Sequence, residues 1–410
     1  MHFQDKLILA GNKIANQKHL HAISQGMMAI MPLTIMGSIF QLISAIPDIF
    51  PFLPAYSDTV KTAILFPYNM VFGLFGVIAC AAISYYRAKE ENLPILSNLI
   101  LAVISFFLLG APLNSETNTF DATYLGSAGI FLAIVVSLVC VELYRLFDHF
   151  GPKLKLPDSI PPYVADSFNA ILPMTVILAL WYLVSLGTQA ATGALLPAWI
   201  TFILTPAVKA SGSLWFCMFT AFMIALLQTF GIHGFNVMSG LILPLLIANT
   251  GANAEAFATG QTATEIFTLP MFQMSGIFMW IIPVMFLRCK SEKLRQIGKI
   301  GLIPAIFNIA EPVQFSCITF NPILGIPWII MFTVNMAIVW ISMYTGFCSK
   351  AVIMASSNIP LPIFSYLCTL DVRSILVFAI MLVFSWLLWK PFIHAYDMQC
   401  LKEEQTTIKS

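Results

Sequence analysis

Long uncharged apolar runs, at 22–46, 64–86, 124–141 and 375–389 among others, dominate this chain, and runs of this kind severely limit how a polypeptide can fold. A helix crossing the hydrocarbon layer needs about 20 mostly apolar residues, because every backbone N–H and C=O must be satisfied within the segment itself. Only 10% of the residues are charged while 59% are hydrophobic, too few charges to coat a soluble core. The pattern predicts an all-α polytopic membrane protein with about ten transmembrane helices. With a net charge of +1 and no block of like charge, no nucleic acid or other polyanion is expected as a partner.

Basic residues in short loops are retained on the cytoplasmic side. Lys6, Lys13 and Lys18 therefore place the N-terminus inside. Counting spans forward puts Arg87 and Lys89, then Arg145, Lys153 and Lys155, on the same side, with just Lys61 in the loops between. Residues 1–20 lack the apolar core and cleavage site of a secretory signal and read as a cytoplasmic or interfacial segment. Phe3, Leu7, Ala10 and Ile14 would form one apolar stripe along a surface helix; a solvated leader is the alternative.

The polar, proline-rich KLPDSIPPYVADSF at 155–168 cannot continue a helix and marks the break between two membrane subdomains. Their expected bounds are 21–187 and 188–395, followed by a cytoplasmic tail at 396–410. The charged RCKSEKLRQIGK at 288–299 reads as a cytoplasmic loop. Elsewhere the hydropathy is irregular. The run 237–248 is short and broken by Pro244, and 303–321 carries Pro304, Glu311, Pro312 and a terminal Asn-Pro. Interrupted apolar segments mark re-entrant or unwound stretches whose freed backbone groups line a polar cavity, so the substrate site is expected there.

An ionisable residue inside an apolar segment faces a cavity or a partner, because burying it in lipid costs about 2.5–3.5 kcal/mol. Glu311 meets that description, flanked by Asn308 and Gln314; it either contacts substrate or pairs within the protein. His233, in GIHGFN at 231–236, is the second candidate, since two glycines allow close approach and imidazole both donates and accepts. A satisfied structural group at a helix end is the alternative. Asn236 adds an amide next to it. Arg87 and Glu142 read as an anchoring ion pair, whereas Glu255 and Glu265 fit either a loop or a re-entrant hairpin. The eight cysteines are scattered without C-x-x-C or zinc spacing and read as small apolar fillers. There is no Walker loop, no G-x-G-x-x-G and no H-E-x-x-H, so neither a cofactor nor a metal is expected.

Four segments together carry a resemblance: MPLTIMGSIFQLI at 31–43, KLPDSIPPYVADSFNAILP at 155–173, GIHG at 231–234 and IFNIAEPVQF at 306–315. In order and spacing the chain resembles the EIIC components of the lactose/cellobiose/chitobiose phosphotransferase family. The resemblance implies the EIIC fold in a bacterial cell membrane, with ten spans and two re-entrant hairpins. It also implies a homodimer joined through the N-terminal half, and a C-terminal half that carries sugar as an elevator. The sugar would be phosphorylated at its 6-hydroxyl by a phosphocysteine on a cytosolic EIIB partner, recharged by EIIA and ultimately by phosphoenolpyruvate. His233 and Glu311 match the family's sugar-binding and catalytically important pair, and Asn236, Asn308 and Gln314 would complete the polar contacts. The chain departs from the family at Ala310, where asparagine is common, and at QMSGIFMW, 273–280, which replaces a glycine-rich run. Two other classes compete with group translocation of a β-linked disaccharide: a proton-coupled sugar transporter using Glu311 and His233 as a relay, and a sugar sensor that has lost transport.

Overall fold

The computed structural model describes residues 17–44, 46–49, 52–114, 117–151, 162–276, 280–309 and 311–409. The stripe at Phe3, Leu7, Ala10 and Ile14 and the proline-rich residues 155–161 lie outside them. Among the described residues the main helices are α1 Lys18–Ser44, α2 Asp58–Gly73, α3 Phe75–Glu90, α4 Ile95–Gly110, α5 Ile130–Phe150, α6 Pro162–Thr192, α7 Leu196–Ser211, α8 Leu214–Thr229, α9 Gly234–Ala258, α10 Leu269–Gly276, α11 Ile281–Phe286, α12 Glu292–Ile306, α13 Pro322–Tyr344, α14 Ile363–Thr369 and α15 Arg373–Lys409. A two-residue hairpin pairs Leu113 with Phe120 in the loop after α4.

Seven helices among the described residues are long and apolar enough to cross a membrane, or eight when the bent α2–α3 pair is taken as one span; α4 and α8 are shorter apolar helices. Large apolar side chains stand exposed along them, including Leu183, Leu241 and Leu387. In water such a surface would aggregate; facing lipid tails it costs nothing.

The run 64–86 is not one straight span. It breaks at Leu74 with a 43° bend, because the Leu125 carbonyl, from the loop before α5, accepts the amides of Gly76 and Val77. Conversely, 237–248 is not a broken short segment but the middle of the 25-residue α9, with Pro244 inside it. Packing on α1 holds α9 together on both sides of the proline: Ser239 hydrogen-bonds Ser24 at 2.6 Å, and the Gln41 amide donates to the Ala254 carbonyl at 3.3 Å. Residues 292–299, expected in a loop, open α12. Ser291 is its N-cap, accepting from the Leu294 amide, and Glu292 occupies its first turn, where serine and a carboxylate favour a helix start. The expected tail, described to residue 409, continues α15. Its Asp397 accepts from the Lys290 and Ser291 amides and its Glu404 from the Lys293 amide and Ser291 hydroxyl, closing the N-terminus of α12.

Non-helical backbone inside a membrane protein must be satisfied by neighbouring groups, and polar side chains of α9 do this. Asn249 donates to the Phe267 carbonyl, the Thr250 hydroxyl accepts from the Leu269 amide, and Asn253 bonds Glu265 and Ala351. Glu255 thus sits on the last helical turn of α9 and Glu265 on the non-helical segment after it.

The expected Arg87–Glu142 pair is the centre of a larger network joining α1, α3 and α5. Arg87, 2% exposed, donates to Glu142 at 2.8 Å and to Glu91 at 2.7 Å; Lys18 also holds Glu91, at 2.8 Å, and Arg145 and His19 reach Glu142. Hydrogen bonding from Lys18 and then Arg87 outweighs burial and brings the Glu91 carboxyl down to about 2 from its ordinary 4.5. A carboxyl lowered by folding contributes stability that is fully present above 4.5 and is lost as pH falls from there towards 2. Thermal stability in detergent is therefore expected to decline across this window, with a shallower decline for Glu91→Gln; identical slopes would refute the assignment.

Candidate functional site

The GIHG segment is shaped by local rules. Helix α8 ends in a Schellman arrangement in which the Gly231 amide donates to the Gln228 carbonyl and the Ile232 amide to the Leu227 carbonyl. Gly231 holds φ +77°, a left-handed conformation that costs a side-chain-bearing residue about 1–2 kcal/mol. His233 then caps α9, its Nδ1 accepting the Asn236 amide at 3.3 Å. Leu227, Ile232 and Val237 cluster beneath this turn, the apolar staple that fixes how the chain enters the helix. With Nδ1 accepting, a neutral His233 ring carries its proton on Nε2. The structural alternative for His233 is thus realised at Nδ1, and the residue is exposed.

A Cβ on Gly234 would lie 2.2 Å from the Ile224 carbonyl oxygen, so α8 and the start of α9 touch through backbone. Gly234→Ala is expected to destabilise the protein by about 1–3 kcal/mol, towards the upper end because backbone must yield. A melting temperature in detergent equal to that of the unaltered protein would contradict this packing.

Helix α12 ends in the same way with asparagine in place of glycine. Asn308 has φ +64°, its amide donates to Ala305 and that of Ile309 to Pro304. Its side-chain amide donates to the Ser357 and Ile359 carbonyls at 2.5 and 2.8 Å. Asn308 is therefore a helix terminator and a staple for the 357–359 loop. Its buried Oδ1 has no partner among the described residues. The chain resumes with a turn at Glu311–Val313 and a π-helical turn at Gln314–Ile318, a geometry frequent at functional sites. The Glu311 side chain and Ala310 lie outside the described residues. Gln314 is 3% exposed and its Nε2 has no hydrogen-bond partner among the described residues.

Thr319 and Phe320, just past this π-helical turn, tie it to GIHG. The Phe320 amide donates to the Thr229 carbonyl at 2.8 Å and the Thr319 hydroxyl to the Gln228 carbonyl at 3.3 Å. Both acceptors are carbonyls of the last turn of α8, which have no amide further along the helix to accept from; that of Gln228 also takes the Gly231 amide. Trp328 of α13 donates to the Gln228 side chain at 3.1 Å. Phe320, at φ +58° and 60% exposed, lies with its ring edge against Gly231. The structure thus brings the segment after Gln314 onto the turn that presents His233 and Asn236, while ordering Asn308 against a third segment, 357–359. Sequence reasoning missed Gln228, Thr229 and Phe320. Gln228, a polar residue in an apolar run, carried the same signal as Glu311; the other two reveal themselves only through contacts.

The sequence matches the phosphotransferase system EIIC family over residues 24–331. The chain belongs to that family. EIIC components are membrane proteins that act on sugars together with EIIB and EIIA partners. This EIIC chain is 31% identical to the lichenan permease IIC component of Bacillus subtilis (strain 168), over 98% of its own length and 94% of the relative's. It is 26% identical to the cellobiose-specific EIIC component of Geobacillus stearothermophilus, covering 98% and 95%. It is 28% identical to the lactose-specific EIICB component of Lacticaseibacillus casei, covering 98% of this chain and 72% of that one. Its fold is that of the crystal structure of the transporter ChbC, the IIC component of an N,N'-diacetylchitobiose-specific phosphotransferase system, with a TM-score of 0.90 over 98% of this chain and 99% of that one, at 24% identity.

Proposed function

We propose that this EIIC chain translocates a β-linked disaccharide across the bacterial cell membrane and presents it for phosphorylation by a phosphorylated EIIB. The observation that carries this reading is the hydrogen bond from Phe320 to Thr229, which anchors the segment after Glu311 beside the His233 turn although the two motifs lie far apart in sequence. Relatives named for lichenan, cellobiose and lactose support the substrate class.

Glu311 grips sugar hydroxyls and orients the 6-hydroxyl, a task suited to a carboxylate because in-line phosphoryl transfer depends on positioning. His233 donates through Nε2 to a sugar or phosphate oxygen, Asn236 and the Asn308 carbonyl bind further hydroxyls, and the buried Gln314 amide donates into the same region. The N-terminus is cytoplasmic, since Lys18, Arg87, Lys89 and Arg145 cluster at one end of the helices. Residues 21–187 form the dimer-joining half and 188–395 the half that moves with the sugar. All eight cysteines are buried, which agrees with the phosphocysteine belonging to EIIB.

The test is phosphoenolpyruvate-dependent phosphorylation of labelled mono- and disaccharides by membranes containing this chain, supplied with the general phosphotransferase proteins and candidate EIIA and EIIB. A sugar phosphate that requires this chain is expected. No product from any sugar, alongside a working related transporter, would overturn the reading.

A further inference from the structure

At the end of the bundle opposite the Arg87 network lies a cleft of about 470 Å³ between the end of α2, the 122–128 loop and the last turns of α9. The two ends are separated by the length of α1, which meets α9 near its start through Ser24 and near its end through Gln41; 27 helical residues span roughly 40 Å. Between 45 and 126, outside the network's own helices and their turn, the one basic residue is Lys61 in the first turn of α2, so this end faces outward in the orientation proposed above.

Its chemistry is that of a built polar site. Tyr68 lines the cleft and is 2% exposed, yet its phenolic oxygen has no hydrogen-bond partner among the described residues. A buried hydroxyl without a partner has lost its hydration for nothing, a cost that a ligand hydroxyl would remove. Glu255, also lining the cleft, forms no ion pair among the described residues, and Asn69 and Thr259 add an amide and a hydroxyl. Phe72 supplies an aromatic surface. Among the described residues no basic side chain lines it, which disfavours phosphorylated or carboxylated ligands. A carboxylate, an amide, hydroxyls and aromatic rings together are what a neutral sugar requires. The floor is shut: a Cβ on Gly251 would lie 2.6 Å from Ser127 Cβ.

We infer that this cleft is an outer docking site where a neutral disaccharide binds before the path beneath it opens. The inference rests on the proposed sugar-permease reading and adds a second, non-catalytic site to it. Glu255 and Tyr68 bind hydroxyls there, and neither belongs to the GIHG or Glu311 machinery.

The test uses Ala122→Cys, an exposed residue at the cleft's rim with no polar group of its own, in the full chain, labelled in intact cells with a membrane-impermeant maleimide. Because the native cysteines are buried, the background is low. Cellobiose, lactose and N,N'-diacetylchitobiose are added singly. One of them is expected to slow labelling about tenfold at a concentration about ten times its Kd, and adding Glu255→Gln should remove that protection. Failure to label from outside, equal labelling with and without every sugar, or protection that survives Glu255→Gln overturns the site. Phosphorylation by permeabilised membranes reads the permease function separately. Phosphorylation without protection overturns the docking site alone, whereas protection without phosphorylation upholds it and sinks group translocation.

Discussion

Glu311→Gln is expected to reduce sugar phosphorylation by about 10²–10⁴-fold, the range that a positioned acid–base group supplies. The substitution is nearly isosteric and removes the charge while keeping the turn that Glu311 opens after the Asn308 terminator. Membrane insertion and melting temperature should therefore match the unaltered protein. The useful readout is the split between binding and turnover. A carboxylate that only anchors the sugar would raise KM and leave kcat intact, whereas one that also orients the 6-hydroxyl lowers kcat. Normal phosphorylation by the variant would sink the proposed role.

Arg87→Gln is expected to destabilise the folded protein by about 3–5 kcal/mol, the loss typical when one partner of a buried ion pair is removed. Arg87 is nearly inaccessible and contacts Glu142 on α5 and Glu90 and Glu91 at the end of α3. Without it the carboxylates that converge on its guanidinium repel one another, with Lys18 and Arg145 reaching them from more exposed positions. A second substitution, Glu142→Gln, should restore part of the loss because it removes an uncompensated charge. Unfolding in detergent, followed by temperature or denaturant, checks both. A single variant as stable as the original would show that the network is dispensable. Phosphorylation per folded molecule should change little, since the network's residues belong to neither the GIHG nor the Glu311 segment.

Local rules explain much of the candidate site. In TFGIHGFNV the glycine that can hold a positive φ, a capping histidine and apolar residues on either side of it already describe a helix stop and a helix start, as found at Gly231 and His233. The same rules were available at Ser291-Glu292, a capping serine and an acidic first turn, yet charge density suggested a loop where α12 begins. Asn308 has a side chain suited to sugar, but its left-handed backbone and two amide bonds give it structural work that no residue count reveals.

By itself the sequence determined the membrane-spanning helical class, the family and the motifs at His233 and Glu311, because hydrophobic length, charge placement and helix capping act over a few neighbouring residues. Tertiary structure alone decided where the spans bend and which motifs meet. The break at Leu74 exists because Leu125 supplies a carbonyl from another loop, and α9 continues through Pro244 because α1 packs beside it. The turn after Glu311 reaches the His233 turn because α8 leaves its last carbonyls open to Thr319 and Phe320. Backbone donors and acceptors are identical at every position, so the pairing of distant ones is set by packing in three dimensions and leaves no mark in the order of side chains.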